Sequence, residues 1–69
     1  MKVNQLPSEL CNDILENYPE YNISRGEEVI VGPNSAYLVD IENEKSFKTI
    51  RIINGEYDIY QQYFKQQNH

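Results

Sequence analysis

Apolar and polar positions along this chain change period once, from helical to strand-like. Leu10, Ile14 and Tyr18 recur at i, i+4 and i+8, Cys11 and Leu15 repeat on an adjoining strip, and Asn12, Asp13 and Glu16 fall on the other side. That spacing predicts an amphipathic helix. Its ends are marked too. Pro7 suits the first turn, Glu9 opposes the positive end of the helix dipole, and Pro19 pushes the residue before it out of helical geometry.

After Pro19 the pattern turns to short runs of β-branched and aromatic residues separated by turn formers. Residues 21–26 read as a connector, and residues 27–31 as a short strand closed by the turn signal Gly32-Pro33-Asn34-Ser35. Residues 36–41 and 47–53 are the next strands, with a polar loop between them. The fourth strand runs from Glu56 to about Phe64, although residues 61–67 also suit a terminal helical turn or a frayed tail.

The pair Asn54-Gly55 sharpens this outline, because both residues tolerate the positive φ of a two-residue type I′ turn. The turn predicts Ile53 opposite Glu56, Ile52 opposite Tyr57, Arg51 opposite Asp58 and Ile50 opposite Ile59. One face then carries Ile50, Ile52, Tyr57 and Ile59, while the other sets Arg51 against Asp58. A four-residue loop at Asn43 to Ser46 extends the register, with Tyr37 beside Ile52, Val39 beside Ile50 and Asp40 beside Thr49. A slip of one residue would instead place Leu38 beside Ile50 and Asp40 beside Lys48. The expected fold is α+β: one N-terminal helix packed on a three- to four-stranded antiparallel β-meander, forming a single domain over 1–69 with a disordered tail over 65–69. Tyr37 and Tyr57 are expected in the core.

Composition narrows the functional classes. With 69 residues, one core barely offsets the entropy of folding, so a partner or a second copy would help. Eleven acidic residues against six basic ones give a net charge of −5, which disfavours direct binding to nucleic acid or to an anionic membrane surface. Cys11 is the single cysteine and cannot close an internal disulfide, which fits a reducing, cytoplasmic setting. No apolar leader or membrane-length run is present in the sequence as given.

The passage Leu6-Pro7-Ser8-Glu9-Leu10, followed by Ile14-Leu15-Glu16-Asn17-Tyr18-Pro19-Glu20-Tyr21-Asn22-Ile23, resembles the start of small PepSY-like domains. In that family a leucine-proline opening, a short helix and an asparagine-tyrosine-proline stop precede an antiparallel sheet. Tyr37-Leu38-Val39-Asp40-Ile41 and Ile53-Asn54-Gly55-Glu56 look like its alternating strands and final hairpin. The sequence as given departs from that pattern in showing no secretory signal of the kind many such domains carry, so a periplasmic role is not expected. The resemblance implies a non-catalytic binding or inhibitory module that uses its sheet, and it carries over no catalytic residue.

No residue pattern points to catalysis, a cofactor or a metal. His69 is the only histidine and the last residue, and Cys11 reads as a small core residue without a histidine partner. The carboxylates fall on the polar side of the helix, in loops and at strand starts, and the isolated glycines form no phosphate-binding loop. Six tyrosines are the one enriched type with a functional meaning, since tyrosine gives large contact area at low entropic cost. A lone helix covers one face of a sheet, so Leu38, Phe47, Ile53 and Tyr60 on the other face are the candidate partner-binding residues. Tyr63 is expected opposite to Tyr60 if the last strand runs straight. The expected function is a small non-enzymatic protein-binding or inhibitory module, acting through a sheet face or an edge strand on a protein partner or on its own copy. The alternative is an acidic inhibitor from a mobile element that mimics nucleic acid and blocks a nucleic-acid-binding enzyme.

Overall fold

The computed structural model describes residues 6–65, as helix α1 (Ser8–Asn17) followed by strands β1 (Asn22–Val31), β2 (Asn34–Glu42), β3 (Ser46–Ile53) and β4 (Glu56–Phe64). The strands form one antiparallel sheet in the order β1-β2-β3-β4, with α1 laid on one face. Both long-range registers follow the hairpin turn. Ile53 pairs with Glu56, Arg51 with Asp58 and Ile50 with Ile59, while Tyr37 lies opposite Ile52 and Asp40 opposite Thr49. Asn54 and Gly55 have φ of 53° and 78°, the double positive φ of a type I′ turn. Gly32 opens the β1–β2 turn at φ 61°, and Pro33, with its fixed negative φ, completes it.

The helix is short and lacks a side-chain cap at its N-terminus. The carbonyl of Pro7 accepts from the amides of Leu10 and Cys11 at 3.0 and 3.2 Å, which closes the first turn. Packing therefore holds it. Ile14 is buried with Leu6 against Val39, Ile41, Ile50 and Ile52, and Leu10, Cys11, Tyr18, Tyr21, Ile23 and Tyr37 pack around that cluster. Each fully buried aliphatic side chain contributes about 1.5–3 kcal/mol of burial free energy. A handful of them supplies the stability of the domain.

Three expectations need correction. Residues 22–26 are not a connector, because β1 begins at Asn22 and pairs Ile23 with Ile41. Weak strand formers and a bulge between Ile23 and Arg25 hide this half of the strand, since a bulge breaks the period of two. Tyr57 is not a core residue. It remains 40% exposed and Ile59 41% exposed, and the phenol reaches α1 through a hydrogen bond to Asp13 Oδ2 at 3.2 Å. Lys65 was expected in the tail but is tied down: its amide donates to the Lys45 carbonyl at 2.8 Å, and its Nζ sits 2.7 Å from Glu42 Oε2. The rest of that expected tail, residues 66–69 with His69, lies outside the described residues.

Candidate functional site

Strand alternation sends Leu38 from β2, Phe47 and Ile53 from β3, and Tyr60 from β4 to the sheet face away from the helix. They do not form one apolar patch. Phe47 and Ile53 stand six residues apart on the same strand, about 20 Å at the usual rise, and a polar band crosses the face between them. In that band Arg51 Nη2 lies 3.0 Å from Asp58 Oδ2, and Thr49, itself buried, donates from Oγ1 to Asp40 Oδ1 at 2.7 Å. Leu38 and Tyr60 both line a cleft of about 150 Å³, together with Arg25, Glu27, Asp40, Thr49 and Gln61. Ile53 stands apart, paired with Glu56 beside the turn.

A bulge in β4 decides what joins Phe47. Ile59 pairs with Ile50 and Gln61 with Thr49, so Tyr60 is an extra residue, and both Tyr60 and Gln61 turn toward the outer face. Every later side chain of β4 therefore changes face. Tyr63, expected opposite to Tyr60, comes to the same face and stacks on Phe47 with ring centroids 5.0 Å apart and planes 20° from parallel. The signal in the sequence is Tyr60-Gln61-Gln62-Tyr63, where two adjacent polar residues interrupt the alternation. The Arg51 guanidinium lies 5.6 Å from the Tyr60 ring centre, a cation–π contact that steadies the bulge.

Charge fixes the ends of this region. The hydrogen bond from Lys65 and its positive charge hold the Glu42 carboxyl below its ordinary range, and the hydrogen bond to Asp58 raises Arg51 further. On the helix side, partial burial raises the Tyr57 phenol, and its hydrogen bond to Asp13 adds to the shift. No protein-family model, curated protein or solved structure matches the chain. Among the described residues no three His, Cys, Asp or Glu side chains gather as metal ligands, and no helix is long and apolar enough to cross a membrane.

The feature that stands out instead is β4 itself. Seven large apolar side chains are exposed among the described residues, and Tyr57, Ile59, Tyr60, Tyr63 and Phe64 all belong to this one strand. β4 is also an edge. The opposite edge, β1, carries Arg25, Glu27 and Glu28, charges of the kind that protect an open edge from pairing. From Ile59 to Phe64, β4 carries none.

The turn geometry says which backbone groups of β4 are free. A two-residue hairpin makes Ile53 and Glu56 a hydrogen-bonded pair, so Tyr57 and Ile59 direct N–H and C=O away from β3. Past the bulge the same holds for Gln62 and Phe64. These four lie opposite Ile52, Ile50, Lys48 and Ser46, which are evenly spaced, so the bulge leaves a regular row of groups on this edge that no strand among the described residues pairs.

Proposed function

We propose that this chain is a non-enzymatic protein-binding module that works through the open edge of β4 and the aromatic side chains around it. The observation that carries the reading is the concentration of exposed Tyr57, Ile59, Tyr60, Tyr63 and Phe64 on a strand whose outer backbone groups no other strand pairs among the described residues. An added strand satisfies those groups and buries those side chains together. Leu38, Phe47 and Ile53 flank this site on the outer face. An inhibitory role, which the resemblance to PepSY-like domains implies, is one form such binding takes, and a cytoplasmic setting belongs to the same reading.

Charge mimicry of nucleic acid has less in its favour. Asp13, Glu27, Asp40, Glu42 and Asp58 each already have a hydrogen-bonding or ionic partner within the chain. Replacing Phe47→Ala together with Tyr60→Glu tests the proposal: association falls at least tenfold in a sedimentation or pull-down assay while circular dichroism stays native. Unchanged association with a native spectrum contradicts it.

A further inference from the structure

We infer that the occupant of the β4 edge is the β4 edge of a second copy, paired antiparallel about a two-fold axis midway between Ile59 and Gln62. The inference rests on the binding-module reading and names its partner. Tyr57, Ile59, Gln62 and Phe64 are the residues with outward backbone groups, so a two-fold partner must match them among themselves. Centring the axis sets Tyr57 opposite Phe64 of the other copy, and Ile59 opposite its Gln62. All four share the helix-side face, so each pair also matches face to face.

Side-chain chemistry favours this arrangement. Phe64, 74% exposed, gains Tyr57 as its neighbour, and Ile59, 41% exposed, is covered on its open side. On the outer face the ends of the strand complement each other. Glu56 comes opposite the other copy's Lys65, which its own Glu42 also holds, whereas a parallel in-register pairing would set Glu56 on Glu56 and Asp58 on Asp58. Two four-stranded sheets then become one continuous sheet. A nine-residue edge buries little area by itself, so the association is reversible and depends on concentration.

The register is tested by two variants that differ only at the exposed position 64. Tyr57→Lys with Phe64→Lys sets like charges opposite each other at both symmetric pairs, while Tyr57→Lys with Phe64→Glu sets opposite charges there. Within one chain the two positions lie seven residues apart along a strand, too far to pair. Sedimentation velocity from micromolar into millimolar concentration should show the wild type dimerising. The Lys/Glu variant should dimerise about tenfold more tightly than the Lys/Lys variant. Equal behaviour of the two variants overturns the register. A wild type that stays monomeric throughout overturns self-pairing, and a parallel pull-down with Phe47→Ala/Tyr60→Glu then separates the two proposals. Capture that this variant loses leaves the binding module standing with a different partner, and no capture removes both.

Discussion

Gly26 is the residue whose role is least visible in the sequence and clearest in the structure. It stands isolated between Arg25 and Glu27, with nothing to mark it as more than a loop residue. In the fold it lies under Leu6, and a Cβ there would come within 2.5 Å of Leu6 Cδ1 and 2.8 Å of Cγ. The missing side chain makes room for the chain segment that leads into α1. Gly26→Ala should therefore cost about 1–3 kcal/mol by overpacking, read from urea unfolding. Combined with Leu6→Ala its cost should shrink, because the clash goes with the leucine. Tyr57 is the residue where an expectation of burial failed: alternation correctly put it on the helix side, but a single helix of ten residues does not reach far enough to cover β4. Its phenol is raised by burial and by Asp13, so the folded state favours the neutral form. That contribution is full below the ordinary tyrosine value near 10 and is lost as pH rises beyond it. Stability of the wild type should fall more steeply above that pH than stability of Tyr57→Phe, measured by denaturant unfolding across the alkaline range.

Elements were readable where local chemistry is strong. Asn54-Gly55 dictates one turn type, that turn dictates a register, and the register carried the pairing correctly from β4 back to β2. Gly55→Ala forces a Cβ into a conformation with φ of 78° and should cost about 1–2 kcal/mol, seen as a lower denaturation midpoint with an unchanged slope. The two bulges were not readable in the same way. Each adds one residue to a strand without any obligatory residue type, and each shifts all later positions to the other face. The first concealed the start of β1, and the second moved Tyr63 onto Phe47. The candidate site was thus half readable: Leu38, Phe47, Ile53 and Tyr60 lie on the expected face, but their grouping depends on long-range geometry. At the far end of β4, the ion pair of Glu42 with Lys65 is present above the ordinary glutamate range and lost as pH falls through the lowered value. Amide protection of Lys65, relative to its neighbours in β3, should decline over that acid window, and Glu42→Gln should remove the pH dependence.

On the scale of the whole molecule, the one helix among the described residues does not cover the four-stranded sheet, and the exposed apolar side chains described are concentrated at one edge. Charges and an ion pair guard β1, while β4 between Ile59 and Phe64 has no charge to oppose pairing. Association through such an edge rests on backbone hydrogen bonds and apolar burial, so it should persist at high ionic strength. Binding by charge mimicry would weaken steeply instead. The most direct test of the edge as the binding site is hydrogen exchange of the β4 amides at low and high protein concentration. The amides of Tyr57, Ile59, Gln62 and Phe64 should exchange freely when the chain is dilute and become protected together as it associates, while those facing β3 stay protected throughout. Association without any gain in protection at these four positions would contradict the account.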